Sequence, residues 1–106
     1  MLKKEQEEFL EKQFQRIREV QLSKGNDYAN EDRLSNFKLA GSICGLSAEQ
    51  NCLSLIATKV ARLGVLLNSD IKPSNESVDD SVLDLTSYAL LLAMILEDKN
   101  KLWKKK

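Results

Sequence analysis

Glu76, Asp80 and Asp84 recur every four residues, so that on a helix their carboxylates stand in one row. Acids in a first turn complement the positive end of the helix dipole by about 0.3–1 kcal/mol each, which accounts for Glu76, Asp79 and Asp80 taken singly. Asp84 lies two turns in, among Val82, Leu83 and Leu85, where that help has faded and a buried charge is costly unless paired. It calls for a cation, and two sources are open. One is Lys59 or Arg62. The other is Mg²⁺, an ion held by one or two carboxylates plus substrate phosphates, as Asp80 and Asp84 could provide.

A second cluster runs Lys24-Gly25-Asn26-Asp27-Tyr28 and resumes at Arg33-Leu34-Ser35-Asn36-Phe37-Lys38. Its hydrogen-bonding groups and two aromatics could clamp a base and its phosphates. An ordinary capped turn explains the same residues, with Asp27 on backbone N–H groups, Tyr28 and Phe37 at the core edge, and Arg33 and Lys38 in water. Glu7-Glu8-Phe9-Leu10-Glu11 spells the EExxE pattern of some metal-dependent pyrophosphatases. Glu-rich amphipathic helices spell it by chance, and Glu8 with Lys12 is an ordinary ion pair on a solvated face, so it is read as structural.

The chain has no histidine, which removes a Ser-His-Asp triad and leaves carboxylates with a metal, or Lys and Tyr, to carry any chemistry. Two cysteines, Cys44 and Cys52, with no histidine support neither a zinc site nor a disulfide framework, and both are expected as reduced, partly buried thiols. Sixteen Lys and Arg balance sixteen Asp and Glu, interspersed along the chain, which disfavours nucleic acid as a partner. The first residues are charged and the longest apolar run, Ala89 to Leu96, is too short for a bilayer, so no membrane and a cytoplasmic location are expected.

Taken in order, Lys24-x-x-Asp27-Tyr28, Arg33-x-x-Asn36-Phe37, Lys59-x-x-Arg62-Leu63 and Glu76-x-x-x-Asp80-x-x-x-Asp84-x-x-x-Tyr88 resemble the small phage proteins of the nucleotide modification associated type. These are similar to the MazG-like all-α NTP pyrophosphatases. The resemblance spans roughly Glu19 to Leu96. It implies an α-helical nucleotide-handling fold, often dimeric or tetrameric, in the host cytoplasm if phage-encoded, with fourth-helix carboxylates on Mg²⁺ and the Lys24–Tyr28 segment near the ligand. The roles carry over best to Lys24, Asp27, Tyr28, Asp80 and Asp84. This chain departs where related proteins place an Asp before the third-helix Lys, because Thr58 stands there, and the helix facing the acids offers Lys59 and Arg62 instead of further carboxylates. That exchange weakens hydrolysis more than phosphate binding.

The elements that must position these groups are helical. With no Gly or Pro between Leu2 and Lys24, and Leu10, Phe14, Ile17 and Val20 at helical spacing, a first helix is expected over about 2–24, ended by Gly25. Leu34, Phe37, Ala40 and Cys44 mark a short second helix, 33–44, stopping at Gly45. Ser47-Ala48-Glu49-Gln50 is a capping box opening a third helix, 48–67. Its Leu53, Ile56, Val60, Leu63 and Leu67 form an apolar stripe beside small residues Ser54, Ala57, Ala61 and Gly64, so two packed faces are expected, one of them close. After a loop around Pro73, Ser74 or Ser77 caps a fourth helix, 77–98.

The expectation is therefore one all-α domain, 1–106, a bundle of about four helices with charged ends at 1–6 and 98–106 free to fray. The fourth helix is apolar on nearly every side, so a homo-oligomer through it would bury what one layer leaves exposed. Three functions fit. In the first, a Mg²⁺-dependent nucleotide pyrophosphatase, Asp80 and Asp84 bind metal, Glu76 is a third ligand or base, and Lys59 or Arg62 holds phosphates. The second is a non-catalytic binder that sequesters a host nucleotide signal in the same interhelical cleft, with Lys24, Asp27, Tyr28, Arg33, Asn36, Lys59 and Arg62 as ligand contacts. The third is a helical interaction module.

Overall fold

The computed structural model describes residues 1–26, 32, 34–69 and 77–104, with side chains described over 1–23, 32, 34–69 and 77–100. Among the described residues the architecture is all-α, with helices α1 (Lys3–Asn26), α2 (Ser35–Ile43), α3 (Ala48–Leu67) and α4 (Val78–Lys104) and no strand. Residues Met1–Glu31 form one compact unit and Asp32–Lys106 another.

The first unit is α1. It runs past the expected end at residue 24, through Gly25 to Asn26, so Gly25 does not cap it; among the described residues a positive φ occurs only at Gly45. A single glycine costs a helix about 1 kcal/mol relative to Ala, too little to stop one by itself. Gln15 Nε2 donates to Glu19 Oε1 at 3.0 Å, one turn along.

In the second unit, α2 begins and ends inside the expected 33–44 because both ends are held by turns. The Asp32 carboxylate accepts the Leu34 N–H (2.9 Å) and the Asp32 carbonyl accepts the Ser35 N–H (3.1 Å). At the other end Gly45, with φ of 71°, completes a Schellman motif in which the Leu46 N–H reaches the Gly41 carbonyl (2.7 Å) and the Gly45 N–H reaches Ser42 (3.2 Å). The chain doubles back so tightly that a Cβ on Gly41 would lie 2.7 Å from the Leu46 carbonyl oxygen. Gly41, not the exposed Ala40 and Cys44, continues the inward face of Leu34 and Phe37.

α3 opens as expected. Ser47 Oγ accepts the Gln50 N–H (3.1 Å) and Gln50 Oε1 accepts the Ser47 N–H (2.9 Å). α4 is capped by Ser77, whose Oγ accepts the Asp80 N–H (3.1 Å), and continues to Lys104, six residues past the expected end at 98.

The core of this unit comprises Leu34 and Phe37 from the α2 segment, Cys52 from α3, and Leu91 and Ile95 from α4, with Leu55, Ile56, Tyr88 and Leu92 packed around it. Cys52 is fully buried and its thiol donates to the Tyr88 carbonyl at 3.4 Å; Cys44, expected to be partly buried, is exposed. The expectation of two packed faces on α3 is corrected. Cys52, Ile56 and Leu63 turn inward, whereas Leu53, Val60, Leu67 and the whole stripe of Ser54, Ala57, Ala61 and Gly64 are exposed. With α2 and α4 both against one side of α3, the other side has no helix of this unit to meet.

Candidate functional site

Lys59 and Arg62 project from consecutive turns of α3, and Asp84 from α4. Lys59 Nζ lies 3.0 Å from Asp84 Oδ2, with the side chains 18% and 32% exposed. The cation that Asp84 demands is thus supplied by Lys59. Arg62 is half-buried. One turn before Asp84, Ser81 is fully buried and, among the described residues, its hydroxyl has no hydrogen-bond partner.

Asp80 does not share this setting. It sits in the first turn of α4, exposed, with its N–H on the Ser77 cap, where the helix dipole suffices to explain it. Asn36 is exposed near the start of α2. Thr58, standing where relatives of the resembled family carry an acid, donates its hydroxyl to the Ser54 carbonyl of its own helix (3.0 Å). Asp27, Tyr28, Arg33 and Glu76 lie outside the described residues, as does the side chain of Lys24, which belongs to α1. Of the ten expected site residues, the structure therefore brings Lys59 and Asp84 together, with Arg62 one turn along. Among the described residues, no group of three or more His, Cys, Asp or Glu is placed to hold a metal ion.

A second polar cluster, missed in the sequence, lies nearer the other end of the α3–α4 pair. Lys38 bridges Asp32 (2.7 Å) and Asp98 (3.3 Å), and Lys99 reaches Glu49 (3.3 Å). The Lys38 ammonium, followed by the Leu34 N–H, holds the Asp32 carboxyl below its usual range, and Asp32 in turn raises Lys38. Glu49 is lowered too, first by the Ser47 hydroxyl and further by Lys99. Lys38, Glu49, Asp98 and Lys99 line a pocket of about 170 Å³ together with Leu34, Ala48 and Ile95. The volume is below the ~300–1,000 Å³ of ordinary small-molecule sites. The only sequence signal for this cluster was Lys38 itself, whose partners lie six and sixty residues away.

Among the described residues no helix is long and apolar enough to cross a membrane. Comparison with protein-family models, curated proteins and solved structures finds no match to this chain.

Proposed function

We infer that this chain binds a nucleotide or nucleotide-derived small molecule through its phosphates, with Lys59 and Arg62 as the principal phosphate contacts. The observation that carries this reading is the Lys59–Asp84 pair. Asp84 holds a partly shielded ammonium, and the half-buried Arg62 follows it one turn along a helix whose start is fixed by a capping box, so one cation is oriented before any ligand arrives and a second lies on the next turn. Resemblance to nucleotide-handling proteins in the order of the short motifs supports the same ligand class.

The pair also favours binding over turnover. Mg²⁺ at Asp80 and Asp84 would have to displace Lys59 from Asp84, and Asp80 is turned to solvent, so the described side chains suit phosphate capture better than a metal-dependent hydrolase.

Thermal melting against nucleotides, dinucleotides and cyclic nucleotides, with and without Mg²⁺, tests the reading. A ligand at ~100 times its dissociation constant adds about 2.7 kcal/mol, which in a domain of this size raises Tm by roughly 10 °C or more. The expected outcome is a shift that persists in EDTA, is lost in Lys59→Ala and Arg62→Ala, and returns intact ligand on chromatography. A shift that requires Mg²⁺ and yields cleaved ligand would replace binding by pyrophosphohydrolysis. No shift across the panel would leave the helical interaction module.

A further inference from the structure

Any anion that reaches Lys59 must share it with Asp84, whose Oδ2 already lies 3.0 Å from the ammonium. An oxygen bound to the same Nζ at the ~2.8 Å of a charge-assisted hydrogen bond falls within about 6 Å of that carboxylate oxygen. This is shorter than the Debye length of about 8 Å at physiological salt, so mobile ions do little to relieve the repulsion. Partial shielding of the pair strengthens it further. Holding Lys59 in place does not require an acid, because a neutral acceptor such as an Asn side chain would orient the ammonium and repel no ligand.

An ionised carboxylate accepts hydrogen bonds at roughly four sites and donates none. Lys59 takes one site on Asp84, and the side chain is 32% exposed, so an acceptor remains open beside the cation. The site thus asks for an acceptor at Lys59 and Arg62 and for a donor at Asp84. A phosphate monoester meets both demands. Its second pKa is about 6, and below that value it is a monoanion with one P–OH. The unprotonated oxygens face the cations, and the P–OH donates to Asp84 in an O–H···O⁻ bond, among the strongest that side chains form. Charge agrees, since Lys59, Arg62 and Asp84 sum to one positive charge. A phosphodiester or sulfate offers the same acceptor oxygens but no hydroxyl, and sets an anionic oxygen against the carboxylate.

We propose, resting on the reading of this site as a phosphate site, that Asp84 makes it selective for a phosphate that still carries a proton. The ligand class is then a nucleotide ending in a free phosphate, with cyclic nucleotides and internal diesters disfavoured. The proton stays in the hydrogen bond between the phosphate oxygen and Asp84, and no covalent bond is made or broken.

The test compares 5′-AMP with 3′,5′-cyclic AMP, and inorganic phosphate with sulfate, at pH 6 and matched ionic strength. The readout is the movement of the Lys59, Arg62 and Asp84 amide signals in ¹H–¹⁵N spectra of the full chain. The expected result is tighter binding of 5′-AMP and of phosphate than of their partners, by about tenfold or more. Asp84→Asn exchanges an acceptor for a group that can also donate, and should bring each ratio within about threefold. The spectrum of this variant also reports whether it folds, and the wild-type ratios stand without it. A purely structural Asp84 would change affinity for all four probes alike and leave the ratios unmoved. Cyclic AMP or sulfate binding as well as its partner overturns the selectivity and leaves phosphate capture standing. No movement with any of the four probes removes phosphate capture, and the selectivity with it.

Discussion

The two ends of the α3–α4 pair are joined by ion pairs of the same type in unlike surroundings. At one end Lys59 and Asp84 are 18% and 32% exposed; at the other Lys99 is 57% exposed and Glu49 23%. The first pair also has a fully buried, unbonded hydroxyl one turn away at Ser81, whereas the second belongs to a chain of exposed charges that runs through Lys38 to Asp32. One end concentrates electrostatic energy where solvent cannot fully relieve it. The other spreads charge over a rim that water screens. The proposed recognition of an anion would draw on the first kind of end, whereas fixing the register of helices needs only the second.

Removing a lysine from each end should break the comparison most clearly. Lys59→Ala leaves Asp84 partly shielded and uncompensated, an effect between the extremes for buried and exposed pairs, roughly 1–3 kcal/mol; Lys99→Ala should cost less than about 1 kcal/mol. Urea unfolding of both variants measures the difference, and equal losses would show that the two ends are equivalent.

Next in size is Ser81→Ala, which removes a buried hydroxyl that bonds no described group and improves helix propensity, and should stabilise the fold by about 1 kcal/mol. A destabilised Ser81→Ala protein would mean that this hydroxyl has a partner, such as a bound water, and that the shielded end is wetter than its burial implies.

Acid should act on the exposed end with the smallest effect. Asp32 and Glu49 both have folded-state pKa values below their ordinary ones, so the stability they contribute is present above the unfolded values of about 3.9 and 4.3 and is lost as pH falls through the folded values. Denaturation midpoints followed from neutral pH downward should fall below about pH 4, and the fall should be shallower in Asp32→Asn. Lys38, raised by Asp32, has the opposite sign, holding its contribution until pH climbs through its elevated value.

What was legible in the sequence was local. The capping box at Ser47 and Gln50, the stop at Gly45 and the cap at Ser77 are each written within a few residues, and each is formed. The need of Asp84 for a cation was legible as well, since an acid amid Val82, Leu83 and Leu85 is anomalous wherever the chain folds. Which face of α3 is covered was not legible, because two apolar stripes compete and only the positions of α2 and α4 decide between them. Gly25 misled for a related reason, since a cap requires a positive φ that the residue permits but does not impose. The Asp32–Lys38–Asp98 bridge joins groups too far apart in sequence for spacing to reveal.

Cys52 carries a consequence of a different kind. Its thiol is sealed among the core side chains, burial pushes its pKa up, and Cys44, the other thiol, stands in the open. The reactive thiolate is therefore withheld until α3 and α4 part. Once Cys44 has been capped, the slow alkylation of this one sulfur is a clock for the opening of the core, wound by the native sequence and read without any added label.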